Sequence, residues 1–387
     1  MKIMLLVSSM NAGGAERVAA TLANAWVRQG HQVVLMPCFS KGSGISFYPL
    51  DAAVQVKWLA DDLPRQKWLG RLGKPLILRK RFKHERPDVI ISFLTNVNVT
   101  ALLAGKGLGI PVIVCERTNP VVSNNTGPLL KTLRNKLYPL ADAVMIQTEA
   151  AARSFVEDVL PGLSKVVVIP NPLPDGIEKM ISGNIACCCD ASERKVLAAM
   201  GRFVPAKQFD LLVDVFASVA PDYPDWDLCI WGDGPQRQVL LDKTRKMTCA
   251  SRISLPGKTS EPWKVLSHAQ AFVMTSRVEG FPNVLLEAMA LGLPVISFDC
   301  PSGPAELTKQ GTVGLLVRLN DRLELEKAIR RLLGDEEYRG VLGQRGKQSV
   351  WARYKLDEVL LQWDQLFEQV GAPVAIKSEA KLQVESE

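Results

Sequence analysis

Residues 276–296 constrain this chain more than any other stretch. Glu279-Gly280-Phe281-Pro282 cannot be regular helix, because Pro282 removes a donor and Gly280 frees the backbone. Pro282 suits the first turn of a helix, where its missing N–H costs nothing. The helix predicted from Asn283 to Leu291 stops at Gly292, a C-cap residue followed by Pro294. Val295-Ile296-Ser297-Phe298 then restarts as a buried strand. Loop, helix, turn and strand in that order belong to an α/β sheet.

This geometry separates two carboxylates. Glu279 lies in the loop before the helix, and Glu287 lies more than a turn inside it, on a wall of the same cleft. Between them the N–H groups of Asn283, Val284 and Leu285 are expected to point out of the helix end, ready for an anion. A ligand with an anionic middle and hydroxyl-rich ends, such as a nucleotide-sugar, suits the arrangement. An ordinary α/β loop with a capping acid and an exposed helical acid fits the two acids alone equally well.

The 387 residues suffice for two domains, and 47% hydrophobic with 22% charged residues is ordinary globular composition. A net charge of +7 fits attraction to phosphates or an anionic membrane and, by itself, nucleic acid. The eight cysteines show no metal-ligand spacing, and Cys187-Cys188-Cys189 are neighbours that a tetrahedral site rarely uses. A reduced, cytoplasmic setting follows. No apolar run reaches the length of a membrane span, and Lys2 to Ser8 reads as a first strand rather than a signal peptide.

That strand, the Gly13-Gly14 turn, a helix from Ala15 to Arg28 and a strand from Gln32 to Pro37 form a βαβ unit. The paired glycines let backbone approach a phosphate or sugar, although they do not make the G-x-G-x-x-G fingerprint. From Trp58 to Arg86, cations alternate with Trp58, Trp68, Leu76, Leu78 and Phe82. This texture suits an interfacial helix on anionic lipid, or a basic helix packed on its own domain. No recognition helix or RNA-binding motif accompanies it, so nucleic acid is not an expected partner. Arg117 and Asn119 follow the strand Pro111–Glu116, at an end where α/β sheets place ligands. Arg117 there can meet a phosphate or be a salt-bridged surface residue.

The second half opens with a strand at Lys195–Met200. Arg202 and Lys207 flank the loop after it, well placed to grip a diphosphate. Ile253 to Lys258 reads as another strand and loop. Strand–helix alternation continues to Gly314–Val317, and helices follow at Asp321–Leu333, Glu336–Arg353 and Leu356–Val370. No Asp-x-Asp pair is read at a strand end, so no metal or other cofactor is expected.

Glu279 to Ala290 resembles the E-x7-E signature of retaining glycosyltransferases of family 4, which have the GT-B fold. The Gly13-Gly14-Ala15-Glu16-Arg17 string and the Gly201-Arg202 to Lys207 loop resemble two further motifs of that family. The resemblance implies two doubly wound parallel-sheet domains facing a cleft. An acceptor domain would span 1–172 and a donor domain 173–354. A helix would cross back at 355–371, with a loose tail at 372–387. It implies that Glu279 faces the donor sugar and Glu287 the ribose, with Arg202 and Lys207 on the diphosphate. Gly13, Gly14, Lys258 and residues Gly280, Phe281, Pro282, Asn283, Val284 and Leu285 would complete the donor site. Glu16, Arg117 and Asn119 would lie toward the acceptor. Many relatives carry a histidine in the Arg117 loop, and this chain's histidines are His31, His84 and His268. The implied reaction is hexosyl or N-acetylhexosaminyl transfer, from a UDP-sugar or from GDP-mannose. The implied acceptor is an undecaprenyl-diphosphate-linked saccharide in O-antigen, capsule or glycan assembly on the inner face of the plasma membrane. An epimerase, a phosphorylase or a non-catalytic sugar-binding module would share the fold.

Overall fold

A computed structural model describes residues 1–40, 44–62, 67–118, 126–178 and 194–373, with backbone alone for 67–72. Asn119 and the cysteine run 187–189 lie outside the described residues. Thirteen described strands form two wholly parallel sheets. The first sheet holds β1 (Lys2–Val7), β2 (Gln32–Pro37), β3 (Gln55–Val56), β4 (Val89–Phe93), β5 (Val112–Cys115), β6 (Ala143–Ile146) and β7 (Val166–Val168), in the order β3-β2-β1-β4-β5-β6-β7. Its central strands β1, β4, β5 and β6 are apolar runs, as strands covered on both faces must be. The second holds β8 (Lys195–Met200), β9 (Trp226–Trp231), β10 (Ile253–Gly257), β11 (Ala271–Met274), β12 (Val295–Asp299) and β13 (Leu315–Arg318), in the order β10-β9-β8-β11-β12-β13. Each sheet with its helices is called a lobe below.

Helix α1 (Gly14–Arg28) follows β1 and buries Val18, Leu22 and Trp26 on the first sheet. Helix α2 (Lys67–Glu85) covers the opposite face. The lipid-facing reading of 58–86 is corrected for Trp58, Leu78 and Phe82. Trp58, Leu59, Leu78 and Phe82 are all buried in the first lobe's cores. Arg79 donates to the carbonyls of Ala104 and Lys106, and Arg81 pairs with Asp62. Leu76, Lys80, Lys83 and His84 form the exposed face of α2.

Helix α3 (Thr95–Gly105) starts where Leu94 turns the chain at φ 79 without glycine or proline. Helix α5 (Glu149–Ser154) is followed by a wider π turn, Phe155–Val159. An Asp-x-Asp pair does exist at a strand end: Asp225 and Asp227 flank Trp226, where β9 (Trp226–Trp231) begins. They pair with Lys195 and Arg194.

The last two described helices tie the lobes together. Helix α12 (Glu336–Tyr354) lies on the second lobe, where Arg353 donates to the carbonyls of Glu306 and Leu307. Helix α13 (Leu356–Gln369) buries Trp363 and Phe367 against Trp26 of α1, with the two indoles edge to face at 5.5 Å. A chain that leaves the second lobe therefore ends in the first lobe's core.

Candidate active site

The loop before helix α9 (Asn283–Ala290) is held at both ends. Glu279 N–H donates to Pro301 and its carbonyl accepts from Ser302, each at 3.0 Å, while Arg277 N–H reaches Ala206. Gly280 lies flat against the first lobe. A Cβ there would sit 2.5 Å from the Arg117 carbonyl oxygen, so no other residue allows this approach. The three-amide anion site expected at Asn283, Val284 and Leu285 needs correction. The Asn283 amide donates to Phe281 (2.9 Å) and the Leu285 amide to Pro282 (3.0 Å), which closes the turn. Among the described residues, Val284 N–H alone of the three has no protein partner. Phe281 and Leu285 turn into the core, Phe281 against Tyr354, so they shape the loop from behind.

On the second lobe's rim, Lys207 Nζ is ion-paired with Glu279 Oε1. The Lys207 loop is fixed by Thr275 Oγ1, which donates to the Lys207 carbonyl at 2.8 Å. Arg202, on the same loop, is exposed and has no protein partner among the described residues. Lys258 is exposed at the end of β10 (Ile253–Gly257), 3.9 Å from Asp233. Lys207 thus sits against Glu279, four residues before the α9 start, and Arg202 lies five residues upstream of Lys207 on the same loop.

Across the cleft, the start of α1 meets the start of α9. A Cβ on Gly14 would lie 3.1 Å from Asn283 Nδ2. The Gly13 amide, expected to be free for a ligand, donates instead to Tyr48 Oη at 3.1 Å. Glu16 folds back over Gly13 and accepts from Ser9 Oγ at 2.8 Å. Glu287, expected on an open wall, is 1% exposed. Its Oε1 pairs with Arg17 of α1 and its Oε2 accepts from Trp263 Nε1 at 3.2 Å. Burial raises its pKa, and the Arg17 charge opposes that rise.

Arg117 is buried, with its guanidinium 3.7 Å over the Phe93 ring. Its Nη1 donates to Asn171 Oδ1 at 2.9 Å, and Gln147 shares that oxygen at 2.7 Å. Asn171 Nδ2 then donates across the lobes to Asn283 Oδ1 at 2.7 Å. Nε and Nη2 of Arg117 are buried without a partner, and burial lowers its pKa to about 10. It stays cationic near neutrality, with no carboxylate against it among the described residues. Sequence reasoning missed Arg17, Gln147, Asn171 and Trp263. Arg17 stands inside the quoted glycine string and Asn171 between Pro170 and Pro172, yet neither has a local pattern that foretells an interlobe bond.

Among the described residues, no three His, Cys, Asp or Glu side chains gather as a metal would need. No described helix is long and apolar enough to cross a membrane.

Two parallel α/β lobes meeting over charged loops have the GT-B fold. The structure of Anabaena Alr3699/HepE in complex with UDP matches with a TM-score of 0.76 at 18% identity, over 95% of this chain and 100% of that one. The chain belongs to the family 4-type glycosyltransferases: residues 13–172 match the model "Glycosyl transferase 4-like domain" and residues 190–349 match "Glycosyl transferases group 1". The Campylobacter jejuni GalNAc-alpha-(1->4)-GalNAc-alpha-(1->3)-diNAcBac-PP-undecaprenol alpha-1,4-N-acetyl-D-galactosaminyltransferase is 27% identical over 96% of this chain and 99% of its own length. The amylovoran biosynthesis glycosyltransferase AmsD of Erwinia amylovora is 28% identical over 94% and 99%. A 230-residue match at 33% identity to the exopolysaccharide phosphotransferase SCO2592 of Streptomyces coelicolor covers only 23% of that protein.

Proposed function

We propose that this glycosyltransferase moves a hexose or N-acetylhexosamine, with retention, from a UDP-sugar to a lipid-linked saccharide of the undecaprenyl-diphosphate type. The reading rests most on one observation: Lys207 is ion-paired with Glu279 just before the start of α9, with Arg202 exposed on the Lys207 loop. The names of the Campylobacter and Erwinia relatives support the lipid-linked acceptor and a role in cell-surface glycan assembly.

In this reading the donor diphosphate lies against Arg202, Lys207 and the Val284 amide. As the glycosidic bond breaks, negative charge grows on the leaving phosphate, and preorganised cations stabilise it. Glu279 steadies the oxocarbenium-like sugar. The acceptor hydroxyl attacks from the face the diphosphate leaves, and its proton passes to the departing phosphate oxygen. Lys258 lies toward the nucleobase. Arg117, a buried cation on the other lobe, takes a phosphate of the acceptor. No metal or other cofactor enters the scheme. The exposed α2 face of Leu76, Lys80 and Lys83 meets the anionic inner leaflet.

Purified protein, bacterial membranes and a panel of radiolabelled nucleotide-sugars test this. Label moving from one UDP-sugar into lipid-extractable material supports donor, chemistry and acceptor class together. Nucleotide binding with no lipid label from any donor overturns the lipid acceptor.

A further inference from the structure

The Arg17–Glu287 pair is the one described ion pair that joins the two cleft-facing helix starts. Gly14 opposes Asn283, and one turn further along, Arg17 opposes Glu287. Spacings of three and four residues keep each set on one helix face, so α1 and α9 run side by side from a shared beginning. The two partners differ in mobility. Glu287 is 1% exposed and held on its far oxygen by Trp263, whereas the Arg17 side chain is 19% exposed on a long stem.

With Arg17 in place, the Glu287 carboxylate is closed to solvent. A vicinal diol that is to donate to Glu287 has to take the position Arg17 holds. Opening the lobes without a ligand would leave Glu287 buried with no cation, which is costly. In the exchange a diol hydroxyl takes the place of the Arg17 Nη2 group on Oε1, while Trp263 keeps Oε2. The displaced guanidinium then lies one helical turn from the α9 start, where the proposed diphosphate sits.

We infer that Arg17 is a further substrate-binding residue that exchanges partners, holding Glu287 in the empty protein and the nucleotide diphosphate once ribose hydroxyls take Glu287. The inference rests on the donor-site reading above. It gives a first-lobe residue a part in nucleotide binding, so the nucleotide itself ties the lobes together.

The test compares dissociation constants of UDP and uridine for the wild type, Arg17→Met and Arg17→Lys. GDP and guanosine replace them if the wild type takes only GDP. Arg17→Met should weaken UDP binding about tenfold, the loss of one charge-assisted hydrogen bond. It should leave uridine unchanged or tighter, since uridine competes with Arg17 but has no phosphate to repay it. Arg17→Lys, which keeps the charge and is the safer variant to fold, should lower the UDP preference over uridine by a smaller factor. Equal weakening of both ligands would make Arg17 a purely structural clamp, and an unchanged ratio in both variants would remove it from the phosphate. Either result overturns the inference while leaving the donor site standing. A wild type that binds neither UDP nor GDP overturns the donor reading itself.

Discussion

The two carboxylates of the α9 stretch sit eight residues apart, and each has a basic partner, but the pairs are of different kinds. Lys207–Glu279 is built within the second lobe, with side chains 22% and 13% exposed. Arg17–Glu287 spans the lobes around a carboxylate that water does not reach. The first pair exists whether the lobes are open or closed, while the second exists only when they meet. Chemistry that must be ready for a leaving group uses the preformed pair. Recognition that must report a bound ligand uses the pair that the ligand displaces.

The largest effects should break the preformed side of this comparison. Lys207→Ala or Arg202→Ala removes a cation from the leaving diphosphate, and kcat should fall by about 10²-fold or more. The check is single-turnover transfer with saturating donor. Near-normal turnover in both variants would sink the assignment.

Gly280→Ala strikes the meeting of the lobes instead. Its Cβ would lie 2.5 Å from the Arg117 carbonyl oxygen, so closure has to stop short. Misplacement on the order of 1 Å costs about 10²-fold in rate. Nucleotide affinity should fall by no more than the share of Arg17, about tenfold, because Arg202, Lys207 and Lys258 stay on one lobe. Equal loss of binding and rate would show that the loop itself, and not closure, had failed.

Arg117 sharpens the comparison from the other lobe, since it is a buried cation without an acid. Arg117→Met should raise the acceptor KM about tenfold, as losing a charged hydrogen bond does. The same change should leave thermal stability level or raise it, because an uncompensated buried charge is removed and an apolar stem is kept. A clear drop in Tm would mean that the Asn171 bond and the Phe93 stack outweigh the desolvation.

The Glu287 pair carries a pH signature of its own. Burial lifts the Glu287 pKa against the pull of Arg17. Below that raised value the carboxyl is protonated, and it accepts more weakly from Arg17 in the empty protein and from the diol once that has replaced Arg17. Donor affinity should therefore fall on acidification at a pH above the ordinary carboxylate range, and Glu287→Gln should flatten that limb. For folding the sign reverses. The native state binds this proton more tightly than the unfolded chain, so the group's contribution to stability falls as pH rises through the same window. Donor KM measured against pH for wild type and Glu287→Gln decides the matter, and matching profiles would take Glu287 out of donor binding.

How much of this was legible differs between the same two regions. The Arg202–Lys207 loop and the Glu279–Glu287 helix are local: proline, glycine and strand ends fix where each side chain starts. The parallel sheets were legible for the same reason, from apolar runs between glycine turns. Contacts between lobes were not. Asn283 lies 112 residues from Asn171, and Arg17 lies 270 from Glu287, so no periodicity links them. The anion site at α9 was over-read, because the rule for free amides at a helix start takes no account of Pro282 and Phe281 carbonyls turning back to accept two of them. In 58–86 the reverse held: residues that look lipid-facing in sequence are core, because a helix packed on a parallel sheet needs the same apolar stripe.

The smallest expected effect on transfer to a soluble acceptor lies on that same helix. What α2 leaves to solvent is Leu76, Lys80, Lys83 and His84, at positions that share one helix face, with no acid among them. Each lysine near an anionic surface contributes about 1 kcal/mol, roughly fivefold in partitioning. Lys80→Glu with Lys83→Glu should therefore lower binding to phosphatidylglycerol vesicles by more than an order of magnitude, and moderate salt should erase the difference. Transfer to a short water-soluble acceptor should be untouched, because neither residue contacts the cleft loops. Vesicle binding that is unchanged in the double variant would confine α2 to holding the first sheet, and the acceptor lipid would then have to reach the cleft by another face.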